Sequence, residues 1–323
     1  MMATSATDRL KVTVAQFTVA CEPERNLEII DDLAAKAAAQ GARLLVLPEG
    51  LIARDGDDDA FAAAHAQPLD GPFVQGLRRI SANRGITLMG TVHIAGDPDD
   101  ADPDEVGNVS GNTVVVSENH MANGPAPEKP EKERAETGSA GQEPAVGRGS
   151  RVSNMFLVIR DGGIAASYRK LHLYDAFSAW ESDVVRPGNE LPPIVDIDGW
   201  KIGVMTCYDV RFPETARSLA VRGADAIVVS AAWVRGPAKE YHWALMTAAR
   251  AVENTCYVLA CSEVSKRNIG CSRIIGPLGE VIARAGNSSA EMITATLDRT
   301  VLVEARRSLP VLENRRFADP QLR

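Results

Sequence analysis

The chain has 323 residues, 45% of them apolar and 24% charged, with a formal net charge of −8. This composition fits a soluble globular protein with a sizeable core and excludes global disorder and collagen-like repeats. No run approaches the 18 consecutive apolar residues of a membrane helix, and the acidic balance argues against nucleic-acid binding as the main activity.

A length of roughly 150 residues per domain allows two domains, and one large α/β layer structure fits as well. The opening MMATSATDRLKVTVAQF has no basic segment followed by an apolar stretch, so no secretory signal is expected. The five cysteines, Cys21, Cys207, Cys256, Cys261 and Cys271, are an odd number in a chain of this size, and reduced thiols in the cytoplasm are expected. Their spacings lack the short paired pattern of zinc sites, so neither a metal nor a cofactor is expected.

Lys11–Phe17 reads as a strand. Asn26–Ala39 spaces Leu27, Ile30, Leu33 and Ala37 by three and four, a helix with one apolar face, and Gly41 closes it. Arg43–Leu47 is a compact apolar strand stopped by Pro48. Pro72 opens a helix bearing Phe73, Leu77 and Ile80 on one side, Gly85 ends it, and Ile86–Ile94 is the next strand. From Asp97 the composition turns acidic, and Asn119–Ser150 contains no Ile, Leu or aromatic residue. Residues 97–150 read as a mobile surface insertion, with Gly111–Asn119 as one strand of a hairpin inside it.

Regular structure resumes with the hairpin Asn154–Arg160, Asp161-Gly162-Gly163 and Ile164–Arg169. Trp200–Thr206 is a strand, Pro213–Arg222 a helix and Ala226–Ser230 a strand. Glu240–Glu253 is a helix with Leu245, Ala248 and Val252 on one face, and Cys256–Ser262, Cys271–Ile275, Val281–Ala285 and Met292–Leu297 are strands. Strands separated by helices of this length indicate sheets covered by helices, so the class is α/β or a layered α-β sandwich.

Three polar residues follow apolar strands: Glu49 after LLVLP, Lys170 after IAASYR and Cys207 after KIGVMT. Strand ends of this kind border the crevices where ligands bind. A thiol with a pKa near 8.5 is mostly protonated at neutral pH and needs a base or a nearby cation. Glu49 can be that base if burial raises its carboxyl toward the operating pH, and Lys170 supplies positive charge to a thiolate and to an oxyanion. The backbone N–H of Tyr208, just after a strand-to-helix turn, would be a second oxyanion donor. His172 and His242 are the competing bases of a Cys–His enzyme.

LLVLPEG (Leu44–Gly50), SYRKLHLYD (Ser167–Asp175) and GVMTCYDVRFPE (Gly203–Glu214) resemble the three motifs of the nitrilase superfamily of carbon–nitrogen hydrolases. The likeness extends to ESDVVRPG, HWALMTAARAVEN and the tail RRSLPVLENRR, and fails only across the insertion. It implies a single α-β-β-α sandwich domain over residues 1–323, assembled as a homodimer or larger homo-oligomer. It also implies Cys207 as nucleophile, Glu49 as general base, Lys170 as the cation beside the tetrahedral intermediate and Glu181 as the glutamate that orients the lysine. The residues after Cys207 are similar to the Nit amidase branch, where nitrile-cleaving members carry Trp and Glu, so a small linear amide is the expected substrate. Substrates of that branch carry a carboxylate, which Arg211 or Arg235 would receive; Arg211 could instead bridge to Asp209 or Glu214. Trp233 either lines the pocket or simply packs. Ser262–Pro277 departs from the Tyr-Gly-His type stretch common in the branch. An N-carbamoyl amino acid hydrolase and a catalytically silent binding or assembly protein on the same fold are the alternatives.

Overall fold

The structure, a computed structural model, describes residues 8–55, 60–96, 151–177 and 179–322. In chain order the elements are β1 (Arg9–Gln16), α1 (Pro23–Ala39), β2 (Leu44–Val46), α2 (Phe61–Ala64), α3 (Pro72–Arg84), β3 (Thr87–Ile94), β4 (Val152–Arg160) and β5 (Gly163–Arg169). There follow β6 (Asp175–Ala176), β7 (Ala179–Trp180), β8 (Val185–Arg186), β9 (Ile194–Ile197), β10 (Trp200–Thr206), α4 (Pro213–Val221), β11 (Ala226–Ala231) and α5 (Lys239–Val252). The chain closes with β12 (Tyr257–Ser262), β13 (Arg273–Ile275), β14 (Val281–Arg284), β15 (Glu291–Asp298), α6 (Arg299–Ser308) and α7 (Val311–Asn314).

Two mixed sheets result. The first runs β15-β1-β2-β3-β4-β5, with β8 beside β4, and the second runs β14-β13-β12-β11-β10-β9. Strands β1 to β3 and β10 to β12 are parallel within their sheets, the other strands of each run join antiparallel, and β8 joins β4 in parallel. The parallel strands read as unbroken apolar runs because both of their faces are covered. Alternate residues settle which face is which. Leu10, Val12 and Val14 of β1 and Ile202 and Val204 of β10 meet in the core between the sheets. Ala15, Leu45 and Leu47 turn outward under α1 and α3, while Ile227, Val229 and Val258 turn outward under α4 and α5. The layers are therefore helix, sheet, sheet, helix, as expected from the family resemblance.

Several local expectations hold. Gly85 closes α3 in the left-handed conformation at φ 60°, and Asp161 and Gly162 adopt φ 52° and 75° at the β4–β5 turn. That pair of left-handed residues is what a two-residue type I′ hairpin requires. Other features go beyond the expectations. The buried face of α5 is Trp243, Thr247, Arg250 and Ala251, whereas Leu245 is 50% exposed. Trp243 seals the core against Trp233, and its neighbour-by-two Leu245 lies on the opposite side of a 3.6-residue turn. Strand β9 and helix α6 were not expected; α6 is capped by Asp298, which accepts from the Thr300 N–H at 2.9 Å. The proposed insertion at 97–150, with its strand at Gly111–Asn119, lies outside the described residues. Among the described residues no helix is long and apolar enough to cross a membrane.

One glycine ties the fold to the site. A Cβ on Gly188 would stand 2.3 Å from the backbone oxygen of Arg169, and the Gly188 N–H donates to the Lys170 carbonyl at 2.7 Å. Backbone cannot step aside as a side-chain tip can. Gly188→Ala is expected to cost about 2 kcal/mol, within the overpacking range, and to displace Lys170, read by urea denaturation together with turnover.

Candidate active site

The ends of β2, β5 and β10 converge on one cleft, with about 860 Å³ of empty space including its open mouth. Glu49 stands two residues beyond Leu47, where Pro48 has ended the strand. Its own N–H donates to the Ala231 carbonyl at 3.2 Å, and its Oε2 accepts from the Ala232 N–H at 2.9 Å. This side chain on the first sheet is thus clasped by the end of β11 on the second. Gly50 next to it adopts φ 75°, and a Cβ there would meet the Arg54 guanidinium at 2.4 Å. The missing side chain lets Arg54 fold back and donate to the Glu49 carbonyl at 3.3 Å.

Lys170 is 2% exposed, and its Nζ donates to Glu49 Oε1 at 3.1 Å and to Glu181 Oε2 at 2.8 Å. Glu181 opens a 3-10 turn over Glu181–Asp183, and its Oε2 also accepts from the Tyr174 N–H at 2.6 Å. Asn154, the third residue of the largely apolar strand β4, donates its Nδ2 to Glu49 Oε1 at 2.8 Å and to Glu181 Oε1 at 3.4 Å. The lysine therefore lies between two carboxylates whose remaining lone pairs are also used, which is the condition for keeping buried charges.

Cys207 follows β10 with φ 42°, a left-handed conformation that costs a non-glycine residue about 1–2 kcal/mol. A 3-10 turn over Cys207–Arg211 then leads into α4. Asp209, fully buried, holds this elbow. Its carboxylate accepts from the Thr206 N–H at 2.9 Å, the Tyr168 hydroxyl at 2.9 Å, the His172 N–H at 3.2 Å and His172 Nδ1 at 2.8 Å. Tyr168 and His172 flank Lys170 in sequence, so one carboxylate registers the lysine against the cysteine. His172 is spent on this contact and stacks on Phe212 at 3.7 Å between centroids. The histidine in the cleft is His93, where burial and the Arg54 charge bring its pKa down to about 4, leaving it neutral.

The Cys207 thiol lines the same cleft as the Glu49 carboxylate and the Lys170 ammonium. Burial and the Glu49 charge push this thiol well above its ordinary range. The expectation that burial raises Glu49 is corrected. Burial does push that way, but Lys170 and Arg54 outweigh it and bring the carboxyl down to about 2. Lys170, although burial opposes its charge, is held well above its ordinary value by Glu181 and Glu49. The resting cluster is thus a carboxylate beside a neutral thiol and an ammonium.

Tyr208, Arg211 and Trp233 all line the cleft. Arg211 forms no bridge to Asp209 or Glu214. Its guanidinium carbon lies 4.7 Å from the Trp233 ring centroid, and Nε and Nη2 are buried without a hydrogen-bond partner. The bridge fails because Asp209 is committed to the elbow. Arg235 donates to the backbone oxygens of Ser265 and Asn287 and is absent from the cleft lining. Sequence reasoning missed Asn154, Arg54 and Lys239. An amide opening an apolar strand was a signal for the first; nothing marked the other two. Among the described residues no group of three His, Cys, Asp or Glu side chains could hold a metal ion.

The description Carbon-nitrogen hydrolase matches residues 11–120 and 137–307 of this chain. The chain belongs to the carbon–nitrogen hydrolase family, in the nitrilase superfamily. A relative from Escherichia coli O157:H7 named deaminated glutathione amidase is 39% identical over 311 residues, covering 96% of this chain and 99% of that protein. A chloroplastic omega-amidase from Arabidopsis thaliana is 29% identical, over 95% of this chain and 73% of that one. Among solved structures, the NitN amidase from Nesterenkonia sp. AN1 shares the fold at a TM-score of 0.69, with 23% identity over 95% of this chain and 96% of that one.

In this carbon–nitrogen hydrolase, Lys170→Met would strand two carboxylates beside a buried methionine. Removing one partner from a buried ionic cluster costs about 3–5 kcal/mol. Glu49 lies below its ordinary 4.5 in the folded protein, so its pairing stabilises the wild type above that pH and fades toward about 2. In the variant the stranded carboxylates favour protonation. The deficit is therefore expected to be largest at pH 7 and to narrow toward pH 5, read by urea denaturation at both.

Proposed function

We propose that this carbon–nitrogen hydrolase is a metal-independent thiol amidase acting on a small linear amide that carries a carboxylate. The observation that supports it most is Lys170 bridging Glu49 and Glu181 in the same cleft that Cys207 lines. In the Nesterenkonia amidase, a glutamate-to-glutamine mutant carries the acetamide moiety of fluoroacetamide on its active-site cysteine.

The chemistry follows from the resting charges. Because Glu49 is a weak base at rest, a free thiolate does not accumulate. The thiol proton moves to Glu49 as sulfur attacks the amide carbonyl, and negative charge passes from the carboxylate to the carbonyl oxygen. Lys170 Nζ faces that oxygen together with the Tyr208 N–H, one of the unpaired donors at the start of a helical turn. Each such donor is worth about 3 kcal/mol in the transition state. Collapse of the intermediate breaks the C–N bond, and Glu49 returns its proton to the departing nitrogen, leaving a thioester on Cys207. Water, deprotonated by Glu49, then cleaves the thioester and regenerates thiol and acid. Glu181 keeps Lys170 aimed through both steps.

The carboxylate on the substrate is argued from charge. The described cleft is lined by Arg54, Lys170, Arg211, Lys239 and Arg267 against only Glu49 and Glu181, in a protein of net charge −8. Arg211, with two unused nitrogens beside the nucleophile's turn, offers the bidentate geometry an acyl-side carboxylate takes. The names of the relatives, deaminated glutathione amidase and omega-amidase, support the same substrate class.

Release of ammonia or amine from ω-amides of α-keto acids, deaminated glutathione, neutral aliphatic amides, N-carbamoyl amino acids and a nitrile tests the reading. Activity on the first two should vanish in Cys207→Ala and fall about 100-fold or more in Glu49→Gln. Preference for the carbamoyl compounds, or turnover surviving in Cys207→Ala, overturns it. Arg211→Met should raise KM for anionic amides and leave neutral amides within a few-fold.

We also propose that the enzyme self-associates through the outer face of α5, where Tyr241 is 65% and Leu245 50% exposed. Light scattering is expected to give a dimer or larger, and Leu245→Glu to lower that mass.

A further inference from the structure

The amidase reading gives Lys239, which lines the cleft, no task. Lys239 is the first residue of α5 and is 6% exposed, yet no carboxylate faces it among the described residues. Its Nζ donates to the Tyr174 hydroxyl at 2.8 Å and lies 3.9 Å from the Phe177 ring centroid. Lysine is strongly hydrated and rarely buried unless paired. Burial and the neighbouring Arg211 both disfavour its charge, so the folded protein holds it at a cost. The backbone is also bent to put it there, since Ala238 before it adopts φ 57° and Phe177 above it φ 55°, both left-handed and neither glycine.

Position separates the two spare cations. Arg211 ends the same 3-10 turn that begins at Cys207 and stacks on Trp233 and Tyr208, the residue after the nucleophile. It therefore lies beside whatever acyl group Cys207 holds. Lys239 lines the cleft and packs under Phe177, which is 71% exposed, so this end of the cleft faces solvent. A leaving group must extend from the nucleophile toward solvent to depart.

We propose that Lys239 is a specificity residue that pairs with a carboxylate on the amine side of the scissile bond, so that the favoured substrate is a dianionic amide. Arg211 holds the acyl-side charge and Lys239 the leaving-group charge. This rests on the amidase reading and narrows its substrate class to amides whose amine product is itself an acid, such as a small peptide. A simple ω-amide that releases ammonia fills only the first subsite.

Two substrates with one acyl group separate the subsites. Deaminated glutathione and 2-oxoglutaramate share the 2-oxoglutaryl acyl group, but only the first has a carboxylate on its leaving group; its glycine methyl ester removes that charge alone. Lys239→Met is expected to lower kcat/KM for deaminated glutathione at least tenfold more than for the methyl ester or for 2-oxoglutaramate. Lys239→Arg should restore most of that preference. Equal losses on all three, or no loss on any, overturn the inference even where Cys207 dependence holds. Calorimetric binding of deaminated glutathione and its ester to Cys207→Ala, with and without Lys239→Met, reads the subsite without turnover. Failure of Cys207→Ala to bind the dianion more tightly than the ester also overturns it, whereas turnover surviving in Cys207→Ala counts against the thiol reading alone. Thermal denaturation of each variant identifies losses that come from unfolding.

Discussion

The contact on which the rest depends is Lys170 between Glu49 and Glu181. Three charges that water would hold cheaply are buried in the cleft wall, and each is kept there by its neighbours. The partners come from the ends of β2 and β5 and from the turn after β7, so the cluster can form only when these segments are already in register. Glu49 is in addition pinned to β11 on the other sheet through the backbone at Ala231 and Ala232. Packing of the two sheets and assembly of the charge cluster are therefore one event. Asp209 extends the same logic to the thiol, since the residues on either side of Lys170 and the backbone before Cys207 all donate to one buried carboxylate.

A second layer of electrostatics works at longer range. The molecule as a whole carries excess negative charge, which repels small anions, whereas the described walls of the cleft carry an excess of positive charge. Low-dielectric walls focus such a field toward the opening. Anions are thus drawn to one place and turned away elsewhere. The inner glutamates do not cancel this field, because Lys170 already neutralises one of them.

Much of this was legible before any coordinates. The parallel strands were recognisable from unbroken β-branched runs, and the turns from Gly85 and Asp161-Gly162, because these signals are local. The three polar residues at strand ends were visible for the same reason. What escaped were properties of the assembled whole. Leu245, Ala248 and Val252 form an apolar stripe at helical spacing, and a periodicity cannot say whether a stripe faces a core or the outside. The direction of the Glu49 shift depended on Lys170, more than a hundred residues away, joining Arg54 to outweigh burial, a contest of magnitudes no motif records. Lys239 belongs to no sequence motif and stands out only when its burial and its missing acid are seen together. Arg211 was ambiguous in sequence because its possible acid Asp209 is two residues away; four donors elsewhere had claimed that acid.

The protonated thiol has a consequence for the protein's durability. Peroxide and electrophiles react with thiolates, and the rate follows the fraction of thiolate exposed. A cysteine that is buried and kept neutral by the carboxylate beside it offers almost none. The same carboxylate that would activate the sulfur once a carbonyl is in reach therefore shields it while the cleft is empty. In the thiol mechanism proposed above, reactivity is conferred by the substrate.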